Sequence, residues 1–253
     1  MLLAIDVGNT NIVVGVLDGD ELVCSGRMST NIYETEDEYA MRLSSFLKLN
    51  NVGEIDGAII SSVVPALIRS LVSAIKMVCK INAIVVGPGV KTGLSIKIDD
   101  PAQLGADLVV GAVAAKEKYP LPIIIFDLGT ATTGSVIDKN GNFIGGIITT
   151  GIKTSINALS AGAALLPQID ISAPKKVIGT NSIESMRSGA VIGTACMLDG
   201  LIERFEDELG ERATVIVTGG FGKTVARNCK REVIIDENLL IDGLKIIYDK
   251  NKN

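Results

Sequence analysis

Histidine is absent from the 253 residues, and so is tryptophan. Without histidine there is no Ser-His-Asp or Cys-His nucleophile and no His-ligated metal site. A general base is then most simply Asp or Glu. Aromatic residues make up only 4% of the chain, which argues against ring stacking as the main binding device. The net charge is -5 and there is no basic run, so neither nucleic acid nor an anionic membrane is expected as a partner. The four cysteines, Cys24, Cys79, Cys196 and Cys229, stand far apart in the sequence. That excludes a C-x-x-C motif and makes a disulfide framework an unexpected device in a chain of this length. No apolar stretch is long enough to span a bilayer. Met1-Leu2-Leu3 lacks a basic region and its apolar run is broken by Asp6, so no signal peptide is expected. The G-x-x-x-x-G-K-[ST] loop is missing, which excludes a P-loop phosphate cradle. The expectation is a reduced, cytoplasmic enzyme acting on a small molecule.

What is present is 47% hydrophobic sequence, enough for substantial cores. The most informative stretch is Leu2 to Leu17, LLAIDVGNTNIVVGVL. It reads as strand, tight turn, strand. The first apolar run ends in Asp6, a carboxylate that is costly at a buried strand end unless its charge is satisfied. Gly8, Asn9 and Thr10 offer backbone N–H groups and a hydroxyl, which suit an anion such as phosphate. A carboxylate near phosphate acts through a cation. Taken alone, the stretch reads first as an ordinary β-hairpin with a polar turn.

The pattern returns at Ile123 to Ile137, IIIFDLGTATTGSVI, with Asp127 at the strand end and Gly129 to Thr133 in the turn. A further turn follows each pair, Asp18-Gly19-Asp20 and Asn140-Gly141-Asn142, the second a strong hairpin signal. Two D-x-G-[NT] turns with matching flanks imply an internal duplication. The expected domains are residues 1–118 and 119–253, two α/β halves whose acidic turns face one cleft.

Between these landmarks the pattern alternates. A third strand is expected at Glu21 to Ser25, and a capping box at Thr35 and Glu38 opens a helix carrying Leu43, Phe46 and Leu47. A strand at Gly57 to Ser61 leads through Ser61-Ser62-Val63-Val64-Pro65 into a helix ending near Cys79, and Ala83 to Val86 is again a strand. Asp99-Asp100-Pro101 is read as opening a helix that carries Leu104-Gly105-Ala106-Asp107. Apolar neighbours surround Asp107, so its carboxylate is either poorly solvated and functional or simply on the polar side of an amphipathic helix. Gly145 to Gly151 leads into a helix with Ile152, Ile156 and Leu159 inward; the glycines fit an anion site or a packed turn. A long helix is expected from Ser182 to Leu209 with Met186, Ala190, Ile192, Met197, Leu201, Ile202 and Phe205 on its faces. Thr214 to Thr218 is a buried strand, and the glycine turn after it at Gly219 and Gly220 fits a nucleotide base or ribose, or a plain strand-to-helix turn. The last helix is expected at Leu240 to Tyr248, with a frayed polar tail from Asp249 to Asn253.

In order and spacing, Asp6-Val7-Gly8-Asn9-Thr10, Gly105-Ala106-Asp107, Asp127-Leu128-Gly129-Thr130-Ala131-Thr132, Gly145-Gly146-Ile147-Ile148 and Thr218-Gly219-Gly220 resemble the type III pantothenate kinases. Ile60 to Pro65 and Val86 to Leu94 also look like this family, so the similarity covers nearly the whole chain. The resemblance implies two ribonuclease-H-like domains of the actin-like ATPase fold around a nucleotide cleft. It implies ATP-dependent phosphorylation of pantothenate, the first step towards coenzyme A, in a homodimer using Mg²⁺ and a monovalent cation, K⁺ or NH₄⁺. By position, Asp6, Val7, Gly8, Asn9, Thr10, Asn11, Ile12 and Val13 would hold ATP phosphates, with Asp6 on the Mg²⁺ side. Thr130, Gly219 and Gly220 would contact ATP, and Asp127 resembles the monovalent-cation ligand. Asp107 resembles the general base, and Gly105, Ala106, Leu108, Ile98 and Ser182 fall at acceptor-contact positions. Three departures concern the acceptor side. Leu108 stands where the family has Arg, Ile98 where Tyr is common, and Thr150 where Pro is usual. They leave two alternatives open, a same-fold kinase for a different small hydroxy compound and a nucleotide-binding regulatory homologue without turnover.

Overall fold

A computed structural model describes residues 1–252. Its first sheet is built from β1 (Leu2–Val7), β2 (Asn11–Asp18), β3 (Glu21–Ser29), β4 (Gly57–Ser62) and β5 (Ile84–Val85), with α1 (Glu36–Leu49) and α2 (Pro65–Cys79) between them. The connecting stretch holds β6 (Ser95–Ile96) and α3 (Ala106–Lys118). The second sheet follows with β7 (Ile123–Leu128), β8 (Ala131–Ile137), β9 (Asn142–Thr150), β10 (Thr214–Thr218) and β11 (Ile234–Ile235). Its helices are α4 (Ile152–Gly162), α5 (Ser182–Leu209) and the short α6 (Gly222–Ala226), and the chain ends in α7 (Leu239–Asn251).

The strand orders are β3-β2-β1-β4-β5 and β9-β8-β7-β10-β11, with β6 added beside β9. The duplication read from two turns therefore extends to every strand of the first sheet. In each half two antiparallel hairpin strands are joined by parallel strands on the other side of the first strand. β1 is buried along its whole length, as befits a central strand with covered faces. β3 is longer than expected and alternates between exposed and half-buried, because its far end, Arg27 to Ser29, pairs with Val13 to Asn11.

The capping box at α1 forms as the sequence predicts: the Glu38 N–H donates to Thr35 Oγ1 (3.3 Å) and the Thr35 N–H donates to Glu38 Oε2 (2.7 Å). Leu43 is fully buried and Phe46 and Leu47 pack against the same core. The stretch after Asp99 differs from expectation. Pro101–Gln103 forms only a 3₁₀ turn, Leu104 is extended, and α3 begins at Ala106, which moves Asp107 into a helical first turn. In α4, Ile152 and Ile156 are buried but Leu159 is exposed. The inward stripe of α5 runs through Met186, Val191, Ala195, Leu198, Ile202 and Glu206, whereas Ile192, Leu201 and Phe205 are only half-buried. One helix face can meet the core, and the 3.6-residue period places those three beside it.

The chain separates into two compact units, one of Met1–Leu94, Asp100–Ala114 and Leu239–Asn253, the other of Ser95–Asp99 and Ala115–Asn238. The first unit thus ends within α3 and takes back α7. Small residues make room for that helix. A Cβ on Gly15 of β2 would lie 2.8 Å from the Ile241 side chain, and one on Gly243 would strike the Val110 carbonyl of α3. Leu239, Ile241, Leu244 and Ile247 are buried there. The helix runs past the expected start of a frayed tail to Asn251, whose Nδ2 donates to Lys91 O at 2.8 Å. Asn253, the last residue of that tail, lies outside the described residues. Gly243→Ala is expected to lower stability by about 1–3 kcal/mol through overpacking against α3. Urea unfolding measures this, and an unchanged midpoint would contradict the close approach.

Candidate active site

In the first unit the site grows from the end of β1. Asp6 is 7% exposed and Ser61, in register with it on the parallel strand β4, is fully buried. The Ser61 hydroxyl donates to Asp6 Oδ1. The turn that follows is tied down from two sides. The Gly8 N–H donates to Asn11 O (3.0 Å) and Thr30 Oγ1 donates to Gly8 O (2.6 Å). Asn9, Thr10 and Asn11 are left exposed at the tip.

Asp107 belongs to the same unit. The Val63 N–H donates to Val7 O (3.0 Å), extending the β1–β4 pairing, and Val63 Cγ1 lies 3.7 Å from where a Cβ on Gly105 would sit. That Cβ would also lie 2.5 Å from Asp107 Oδ1, so any side chain at 105 would push the carboxylate from its present position. The Leu108 N–H donates to Asp107 Oδ1 at 2.8 Å. Burial pushes the Asp107 carboxyl above the usual carboxylate range, and that N–H only partly offsets it. Of the two readings of Asp107, the structure gives the half-buried, poorly solvated one.

In the second unit Asp127 and Thr218 stand in register on β7 and β10, the counterpart of Asp6 and Ser61. The turn here is one residue shorter, with the Gly129 N–H donating to Ala131 O (3.0 Å). Gly219 has φ +87°, and a Cβ there would lie 2.6 Å from the Leu128 amide nitrogen and strike Asp127 Oδ1. Glycine is therefore required on conformational and steric grounds together. Gly220 is exposed. The Gly145–Gly151 run is neither an anion site nor a turn: Gly145 to Thr150 are the second half of β9, paired with β8, and Gly151 caps α4, its N–H donating to Thr130 O (3.1 Å), which also accepts from Thr154 Oγ1 (2.9 Å). Ser182, the first residue of α5, lies on the rim of a cavity of about 810 Å³ between α4 and α5, with Ile152, Ile156, Met186 and Met197 among its walls. No charged side chain lines it. Ile98 is half-buried in this second unit, and Leu108 is half-buried in the first.

Sequence reading missed Ser61 and Thr30 as parts of the site. Neither has a local signal, since each reaches the Asp6 turn only through strand pairing. Among the described residues no group of three or more His, Cys, Asp or Glu side chains converges to hold a metal ion. The donor set is a single carboxylate near the end of each first strand, Asp6 buried and Asp127 half-buried. It fits a hard cation such as Mg²⁺ held largely by phosphate oxygens and water, and not a metal held in a protein cage.

The fold is that of the actin-like ATPase-fold kinases. The activator of the 2-hydroxyisocaproyl-CoA dehydratase from Clostridium difficile, solved with bound ADPNP, matches with a TM-score of 0.57 at 13% identity, covering 98% of this chain and 92% of that one. The ethanolamine utilization protein EutJ from Carboxydothermus hydrogenoformans matches with a TM-score of 0.54 at 17% identity, covering 97% and 88%. At the level of sequence, residues 2–204 match the type III pantothenate kinase family. Curated relatives named type III pantothenate kinase are 45% identical in Exiguobacterium sp., covering 100% of both chains, and 43% identical in Halalkalibacterium halodurans, covering 99% of this chain and 100% of that one. The chain belongs to the type III pantothenate kinase family and is a phosphotransferase with an alcohol acceptor.

The environment of Asp107 predicts a stability effect of definite sign. Burial holds its folded pKa above the ordinary aspartate value, so its favourable contribution is complete below that ordinary value and is lost as pH rises through the folded pKa. Asp107→Asn, which cannot ionise, is expected to melt at a higher temperature than the parent at pH 7. The gap should close as the pH falls towards 4. Calorimetric melting across this range checks it, and a parent more stable than the variant at pH 7 would refute it.

Proposed function

We propose that this enzyme transfers the γ-phosphoryl group of ATP to the hydroxyl of pantothenate, giving 4′-phosphopantothenate in the first step of coenzyme A biosynthesis. The observation that carries the reading is Asp107, a half-buried carboxylate with raised proton affinity, set next to the strand end that bears Asp6. The name shared by full-length relatives favours this acceptor over a different hydroxy compound or a regulatory homologue.

Phosphoryl transfer needs positioning and charge neutralisation more than covalent catalysis. Asp107 takes the proton of the acceptor hydroxyl as that oxygen bonds to the γ-phosphorus. The bond from the γ-phosphorus to the β–γ bridging oxygen breaks, and ADP leaves. Asp6 to Val13 hold the phosphates, and Thr130, Gly219 and Gly220 contact the nucleotide. Bound Mg²⁺ would supply charge neutralisation on the Asp6 side, and a monovalent cation, K⁺ or NH₄⁺, would do so at Asp127. Gly105, Ala106, Leu108, Ile98 and Ser182 serve the acceptor, with Ser182 offering a hydroxyl at the rim of an uncharged cavity. The reading includes a homodimer in the cytoplasm. Its support is apolar surface on the second unit, where Leu165 is 94% and Ile178 81% exposed beside the cavity-lining Leu166 and Gly179.

The test is ADP release from Mg-ATP in potassium buffer, with and without pantothenate. Pantothenate-dependent release is expected, and bound ATP without it would overturn the proposal. Asp107→Asn is expected to cut turnover by about 10²–10⁴-fold and leave ATP affinity nearly unchanged. Equal loss of both would remove the general-base role. In the parent, kcat/KM should rise with pH through a midpoint above the ordinary carboxylate range, because the base acts ionised and its pKa is raised. Leu108→Arg restores a cation for the acceptor carboxylate and is expected to lower the KM for pantothenate about tenfold. An unchanged KM would show that this position does not set acceptor affinity.

A further inference from the structure

The pairing of Asp6 with Ser61 has a consequence for the reaction. Ser61 is fully buried in β4, with β1 pairing along its length. Its strand is fixed on both sides of it. The Val63 N–H donates to Val7 O at 3.0 Å, and the Val86 N–H donates to Ile60 O at 2.8 Å. Just beyond, Ser62 Oγ accepts from the Val64 N–H (3.0 Å) and donates to Val64 O (3.1 Å), closing the turn into α2. The hydroxyl that meets Asp6 Oδ1 therefore sits on a backbone with little freedom. A short aspartate side chain gripped at one oxygen by such a donor has its carboxylate plane set. The opposite neighbour of Asp6 in the sheet is Val13, which has no polar side-chain group to offer. The second unit repeats the arrangement in sequence type and register, with a buried hydroxyl residue, Thr218, opposite Asp127. Two halves that diverge in turn length keep a hydroxyl residue across from the strand-end carboxylate.

We infer that Ser61 is a positioning residue for phosphoryl transfer: through its hydroxyl it orients the Asp6 carboxylate toward the cation and phosphates of the bound nucleotide. This rests on the reading of Asp6 as the magnesium-side carboxylate. Ser61 acts through Asp6 and touches no substrate.

The experiment measures Mg²⁺-dependent nucleotide affinity rather than turnover alone. ATP binding to the full chain is titrated calorimetrically, with and without Mg²⁺, for the parent, Ser61→Ala, Asp6→Asn and the double variant. In Ser61→Ala the gain in affinity that Mg²⁺ confers is expected to fall about tenfold, the scale of a lost hydrogen bond to a charged group, while Mg²⁺-free binding is unchanged. Asp6→Asn should show the same loss, and the double variant no more than Asp6→Asn alone, since both act through one carboxylate. Ser61→Thr, which keeps the hydroxyl, should recover the Mg²⁺ dependence. If Asp6→Asn loses the dependence and Ser61→Ala keeps it, or if the two losses add, the inference about Ser61 is overturned and the reading of Asp6 stands. If Asp6→Asn leaves the dependence intact, both are overturned. If Ser61→Ala loses affinity equally with and without Mg²⁺, its role is structural and the inference fails. Should Ser61→Ala melt below the assay temperature, Ser61→Cys keeps the volume with a weaker donor and is read by the same criteria.

Discussion

A carboxylate at the buried end of a central strand imposes the conditions that the rest of this chain meets. Asp6 closes a strand whose other residues are all apolar, and its charge must be satisfied where water hardly reaches. The fold answers with a hydroxyl from the neighbouring parallel strand and a turn that is itself anchored by Thr30. Those requirements fix the register of β1 against β4, and that register brings Val63, Gly105 and Asp107 into the same neighbourhood. A charge that would otherwise destabilise the unit becomes the feature around which its polar groups are arranged.

The second unit reuses the plan with different details. Its carboxylate, Asp127, has a tighter turn, and Gly219 passes so close that no side chain is tolerated there. Its helices also differ, since the 28-residue α5 and the shorter α4 enclose an uncharged cavity. The duplicated plan holds two strand-end carboxylates in similar frames with different surroundings. This explains how a chain without histidine can serve as a phosphotransferase. In the proposed mechanism the catalytic demand falls on oriented carboxylates, backbone turns and one poorly solvated carboxylate, Asp107.

Asp107 shows how small a local feature can decide a site. A helix starting at Pro101 would carry Asp107 well inside it. Because Leu104 is extended and Gly105 leaves no side chain in the way, α3 starts at Ala106 and the carboxylate lies in its first turn, bonded to the next N–H. The bond comes from the Leu108 backbone N–H, so it does not depend on the side chain at that position.

The strand and helix sequence, the two D-x-G turns and the capping box at Thr35 were readable in the chain itself, because each is set by residues a few positions apart. The same holds for the candidate residues Asp6, Asp107, Asp127 and Gly219, whose types are unusual at strand ends and glycine turns. Three things were decided only by tertiary structure. Ser61 reaches Asp6 across 55 positions through strand register, which no local pattern encodes. The return of α7 to the first unit depends on glycines at 15 and 243 meeting Ile241 and Val110, a matter of shape complementarity between distant segments. The covered stripe of α5 is not singled out by its sequence because hydrophobic residues surround that helix, and only the core it packs against selects Val191, Ala195, Leu198 and Ile202 for burial. Sequence sets what each segment can become, while long-range packing selects among faces, registers and partners that look equivalent in the chain.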